Sequence, residues 1–401
     1  MPPAPFPPLP LPDGITENYI SCPTTGLTFH VLEAGHDALP SGPDSHSNSK
    51  TRPLILLLHG FPELAFSWRH IMPTLSSAGY YVVAPDQRGY GRTTGWDASP
   101  FHATDLSTYQ LTNLVRDMVV LVHALGYTSV RCVVGHDFGG VSAAMCALMR
   151  PDLFTSVVLM SHPFKGSSVL PFDYAHSDAG PGGIEGGGAG RNIAADLASL
   201  PRPRKHYKWY NSTASAAGDW LHPRQGLQKF LRGYIHLKSA DWKGNEPRPL
   251  KAWSAEEVGK MPEYYVLPLD STMPEVVAAN MTGEDEGVTK RWLSDDDLAV
   301  YVQEWSRTGF QGGLNWYRAQ TNPENMRDVD LFAGKKIECP ATFVSGDKDW
   351  GNYQQPGVIE NLPNSCSDFR GVTFLKGAGH WPQQEQPKQV VDAILGFISK
   401  L

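Results

Sequence analysis

Apolar residues in this chain fall into two rhythms. The stretch LILLLHG (54–60) opens with an unbroken run, apolar on both faces, as in a strand buried inside a parallel sheet. YYVVAPD (80–86), Val130–Val134 and SVVLMSH (156–162) repeat that pattern. Between them, Leu111, Leu114, Val115, Met118, Val122 and Leu125 keep the spacing of one helix face. Ahead of them, residues 15–34 alternate short apolar and polar segments around PTTG, which predicts a β-hairpin. This strand–helix alternation predicts an α/β fold, a mostly parallel central sheet with helices on both faces.

After residue 162 the alternation stops. SDAGPGGIEGGGAG (177–190) reads as a glycine-rich linker; it follows no strand and lacks a placed Lys-Ser/Thr, so it is not a phosphate loop. Residues 191–333 are rich in Trp, Tyr and charged helical patterns, with no clear sheet strand. Strands resume at ATFVSG (341–346) and GVTFLKGAGH (371–380), and a last helix is expected near 387–399. The implied organisation is a proline-rich arm (1–14), a first part of the core (15–165), a linker and helical cap (166–333), and the rest of the core (334–401).

Composition narrows the function classes. A net charge of −7 without a basic stripe argues against a nucleic-acid partner. No apolar run approaches a membrane span, and MPPAPFPPLPLPDG lacks the basic start of a secretory signal. Cys22, Cys132, Cys146, Cys339 and Cys366 are odd in number and form no CxxC pair, so they read as buried or free thiols rather than a metal set. The final Ser399-Lys400-Leu401 is the tripeptide that the peroxisomal import receptor reads, so a peroxisomal address is expected, on an otherwise cytoplasmic protein.

The chemistry concentrates in VVGHDFGG (133–140). A strand that turns sharply into a helix needs glycines around the central residue, which it holds exposed at the C-terminal edge of the sheet. Here the central residue is Asp137, where many hydrolases carry serine. VSGDKDW places Asp347 and Asp349 just beyond a later strand, and KGAGHW places His380 after the next. Asp349, nearer the loop tip, is the expected acid. Nucleophile, acid and histidine then follow in the chain order of a hydrolase triad.

The chain resembles the soluble epoxide hydrolases of the α/β-hydrolase fold. The resemblance rests on HGFPELAFSWR (59–69), DQRGYGRT (86–93), GHDFGG (135–140), TGFQGGLNWYR (308–318), GDKD (346–349) and GAGHWPQQEQP (377–387). It implies a helical cap inserted in the core, no cofactor and no metal. It implies tyrosine proton donors at Tyr317 and at Tyr207, with Tyr210 and the pair Tyr264/Tyr265 as competitors for the second place. It also implies a cis Phe61–Pro62 bond.

A carboxylate is ionised at neutral pH and needs no base before it attacks. Attack on an sp³ carbon gives a stable ester; His380, oriented by Asp349, is then free to activate the water that cleaves it. The backbone N–H groups of Phe61 and Phe138 are the expected oxyanion donors. Phe61, Pro62, Phe138, Trp209, Trp316 and Trp381 are the expected pocket residues, around a small apolar epoxide, and MPEYYVLPLDSTM (261–273) the expected cap segment lining it. An epoxide oxygen wants a proton, which tyrosine supplies; a halide wants N–H donors. Phe138 stands where haloalkane dehalogenases carry a halide-binding Trp, so dehalogenation at the same aspartate is the runner-up. A related ring-opening step in a biosynthetic pathway is a further alternative. DQRGYGRT reads as a tight loop with Asp86 and Arg88 in one turn network, and His136 as pointing away from the nucleophile.

Overall fold

The computed structural model describes residues 6–36, 52–168 and 192–401, and the glycine-rich linker lies outside them. Ten strands form: β1 (Ile15–Cys22), β2 (Leu27–Ala34), β3 (Leu54–Leu58), β4 (Tyr81–Pro85), β5 (Cys132–His136), β6 (Val157–Met160), β7 (Arg204–His206), β8 (Val266–Pro268), β9 (Ala341–Gly346) and β10 (Phe369–Leu375). Eight of them make one sheet in the order β1-β2-β4-β3-β5-β6-β9-β10. The hairpin β1–β2 joins it antiparallel; from β4 to β10 all neighbours are parallel.

The unbroken apolar runs follow from burial on two faces. Leu54, Leu56 and Leu58 enter one core cluster with the helices Leu111–Ala124 and Phe138–Met149. Ile55 and Leu57 enter the other, with Met72, Leu75, Val390 and Ile394. Side chains alternate across a strand, so two helical layers require two apolar faces. All five cysteines are buried and free. Among the described residues no helix is long and apolar enough to cross a membrane.

Between β6 and β9 the chain leaves the sheet for a helical insertion, which differs from expectation in one respect. β7 and β8 pair antiparallel as a separate two-stranded ribbon, Arg204↔Pro268 to His206↔Val266. Three-residue strands are too short to leave a period in the sequence. The segment 261–273 builds this ribbon and does not line the chamber over Asp137. A second correction concerns DQRGYGRT. Asp86 does hold the turn, accepting the N–H groups of Ala65 and Arg92. Arg88 instead leaves the turn and grips Asp117 of the Leu111–Ala124 helix through two 2.7 Å bonds.

Candidate active site

β5 runs straight into Asp137, whose backbone takes φ 54° and ψ −117° before the Phe138–Met149 helix begins. A non-glycine residue there costs on the order of 1–3 kcal/mol, which the surrounding packing must overrule. The flanking glycines make the turn possible. A Cβ on Gly135 would run into the Gly139 carbonyl, and one on Gly139 into the Leu58 carbonyl.

Three loops at strand ends meet at this turn. From the β3 loop, the Phe61 N–H donates to Asp137 Oδ1 at 3.1 Å, and the Phe61–Pro62 bond is cis. The Phe138 N–H makes no hydrogen bond to that carboxylate. From the β10 loop, His380 Nε2 lies 3.5 Å from Asp137 Oδ2, too long to hold the ring firmly to it. From the β9 loop, both Asp349 oxygens lie 3.1 Å from His380 Nδ1, and Asp349 is itself held by the Gly351 N–H at 2.6 Å. Asp347 serves elsewhere, accepting the Gly377 N–H at 2.9 Å.

The insertion roofs this floor with aromatic rings. Tyr317, on the Gln311–Thr321 helix, packs edge-on against Phe138 (4.5 Å between centroids) and Phe61 (5.5 Å). Tyr207, directly after β7, meets Tyr317 at 5.7 Å, and its hydroxyl donates to Gln354 Oε1 at 3.3 Å. Both tyrosines, Asp137 and Phe138 line a chamber of about 340 Å³. Its wall is otherwise mostly apolar, including Leu111, Val141, Met145, Trp209 and Trp253.

A family model described as the alpha/beta hydrolase fold matches residues 53–177. Epoxide hydrolase B of Mycobacterium tuberculosis is 30% identical over 390 residues, spanning 91% of this chain and 95% of the relative. The chain belongs to the epoxide hydrolase family. Epoxide hydrolase A of the same organism is also 30% identical, over 94% of this chain and 96% of its own. Among solved structures, an epoxide hydrolase from an endophytic Streptomyces superposes with a TM-score of 0.72 at 26% identity, covering 97% of this chain and 96% of that one. Potato (Solanum tuberosum) epoxide hydrolase I gives 0.66 at 27%, covering 96% of this chain and 100% of that one. The protein is thus a hydrolase of epoxide bonds.

The charges of this epoxide hydrolase site interlock. Burial alone would raise the Asp137 carboxyl, but the neighbouring His380 ring and the Lys238 charge hold it far below the carboxylate range. Burial and the Lys238 charge oppose a charged His380 ring; Asp349 and Asp137 outweigh them and raise it above its ordinary value. Burial pushes both chamber tyrosines well above the usual phenol range, so each keeps its proton.

The expected pocket residues divide. Phe138 and Trp209 line the chamber; Phe61, Pro62, Trp316 and Trp381 do not. Trp316 donates its indole N–H to the Arg88 carbonyl, Trp381 to the Ile235 carbonyl, and Pro62 accepts one from Trp305. Tyr210 and Tyr264 do not line the chamber and are tied to Asp219 and Asn245; Tyr265 packs against Tyr207 at 5.2 Å.

Residues of three of the quoted motifs meet in a polar cluster next to the site, and His136 points away from the nucleophile as expected. His136 Nδ1 bonds Glu63 at 2.6 Å and its Nε2 meets the His380 carbonyl at 2.6 Å, beneath the base. Glu63 is also held by Gln383 and Gln384. Gln354, beside Tyr207, and Lys238, beside His380, come from ordinary-looking loop and helix-end positions.

Proposed function

We propose that epoxide opening proceeds through a covalent ester on Asp137. The carboxylate attacks one ring carbon; a C–O bond forms to the enzyme, and the ring C–O bond breaks. The departing oxygen takes a proton from the Tyr317 or Tyr207 hydroxyl. Water then gives a proton to His380 Nε2 and attacks the Asp137 carboxyl carbon, with the Phe61 N–H at the developing oxyanion. As the tetrahedral species collapses, the ester C–O bond breaks and the departing alkoxide takes the proton held by His380. The water proton left on the Asp137 carboxyl returns to the tyrosinate, so the diol leaves and the carboxylate, neutral histidine and tyrosine are restored.

One observation carries this reading. Asp137 is an ionised carboxylate on a strained turn, with one oxygen held by a backbone N–H and its base at 3.5 Å. That geometry suits a nucleophile that becomes an electrophile. Two protonated tyrosines opposite it suit an alkoxide leaving group. Halide departure fits less well, because the aromatic ring at Phe138 offers no N–H.

The test is single turnover of a chromogenic aryl epoxide in ¹⁸O water, with mass spectrometry of the Asp137 peptide. Label in that peptide is expected. Turnover without label would make Asp137 a base on water and overturn the ester.

The mostly apolar wall of the chamber supports a small apolar epoxide as substrate, and a substrate panel that favours small polar epoxides would reject this. Ser399 and Lys400 are exposed at the end of the last helix, which supports recognition by the peroxisomal import receptor. A tagged copy that stays diffuse would refute that address.

A further inference from the structure

The Leu227–Lys238 helix of the insertion ends against the loop that carries the base. The Lys238 carbonyl accepts the His380 N–H at 2.9 Å. The Ile235 carbonyl accepts the Trp381 indole. Glu385 binds the N–H groups of Gly379 and Ala240 through one oxygen and that of Trp381 through the other. Gly379 has no room for a side chain, since a Cβ would meet the Ser239 and Ala240 backbone.

The Lys238 side chain is 4% exposed. Its ammonium sits among three rings: Tyr265 at 5.0 Å, Tyr234 at 5.3 Å and Trp381 at 5.3 Å. A buried ammonium held by ring faces keeps its stem in place and its charge nearly unscreened. Trp381 links the cage to the base, because its ring also packs on His380 at 4.7 Å.

We propose that Lys238 is a positioning residue that keeps His380 neutral, and therefore basic, while the ester stands on Asp137. The proposal rests on the covalent reading above. In the resting site His380 faces two carboxylates, Asp137 and Asp349. Esterification removes the charge of Asp137. The Asp349 charge remains and favours a protonated ring, which cannot take a proton from water. Lys238 opposes it.

The other groups around the pair are fixed in their roles. Toward His380 stand the His136 ring at 5.1 Å and, farther off, His162, which burial keeps low. Toward Lys238 stand Glu63 from the core and Tyr234 and Tyr265 from the insertion; burial keeps both phenols protonated. Behind the loop stands Glu385, whose carboxyl burial pushes up to about 7, with Asp241 beside it.

The experiment compares Lys238→Met, which retains an unbranched apolar stem in the cage, with Lys238→Arg, which retains the charge. Rapid-quench single turnovers measure ester formation and ester hydrolysis separately between pH 5 and 9. For Lys238→Met, the acidic limb of hydrolysis is expected to move up by about one pH unit, about a tenfold loss at pH 6 that vanishes at pH 9. Lys238→Arg should restore the limb. An unmoved limb in a folded Lys238→Met overturns the proposal. So does an equal loss at every pH in both variants, which would mark a purely structural role. Failure to trap any ester in His380→Gln would overturn the covalent reading and this proposal together; a trapped ester with an unmoved limb overturns this one alone.

Discussion

The floor and the roof of the chamber are built by different physics. Asp137, Asp349 and His380 are fixed by backbone: a strained turn, strand ends, and N–H groups from Phe61 and Gly351. Tyr207 and Tyr317 are fixed by ring packing, and the Tyr207 hydroxyl is held by one 3.3 Å bond to Gln354. Backbone anchoring sets atoms to fractions of an ångström, as bond formation to carbon requires. Ring packing sets a plane and leaves the hydroxyl to find its oxygen.

The largest test of this contrast removes the nucleophile. Asp137→Ala should lower turnover by about 10⁴-fold or more, whereas His380→Gln should leave a stable enzyme ester visible as a mass increase on intact protein. Residual turnover of a tenth of wild type in Asp137→Ala would show that the floor is not what its geometry suggests.

The roof should respond more gently. Tyr317→Phe is expected to cost about 10²-fold in kcat/KM, and the double change with Tyr207→Phe about 10³-fold or more. Equal and full loss from either single change would mean that the two hydroxyls act as one rigid unit. Gln354→Leu, which frees the Tyr207 hydroxyl, should change kcat/KM only a few-fold and shift the ratio of the two regioisomeric diols, read with ¹⁸O water.

The last test concerns stability rather than turnover. His30 is raised to about 9: burial works against its charge, and Asp86 and Glu17 outweigh burial. Its folded value exceeds the unfolded one near 6.5, so its contribution is complete below pH 6.5 and fades as pH climbs toward 9. That contribution is roughly 3 kcal/mol. Urea unfolding at pH 6 and pH 9.5 should show this loss in the wild type and much less of it in His30→Gln. Parallel losses in both would remove His30 from the account.

Legibility in the sequence followed the same division. The inner strands were readable because burial on both faces forces unbroken apolar runs, and the Asp137 and Asp349 positions because each follows such a run; β10 is a largely exposed edge strand, and His380 was legible from the motif that follows it. β10 ends at Leu375, and Gly377, at φ 70°, turns the chain toward His380 in the loop, as expected. Aromatic residues near motifs did not reveal which side of a wall they occupy; Trp316 and Trp381 are spent on backbone carbonyls. Lys238 looked like any cation ending a helix. Its cage is assembled from residues distant in sequence, and no local pattern encodes it.

The knot between residues 235–240 and the His380 loop bears on traffic. Lifting the insertion off the sheet would break the His380 N–H bond and the Glu385 bond to Ala240. A guest admitted that way would meet a dismantled base. Pro323, Arg327 and Asp330, by contrast, line the chamber and are exposed. The ceiling of the chamber is thus bolted at the wall that carries the base.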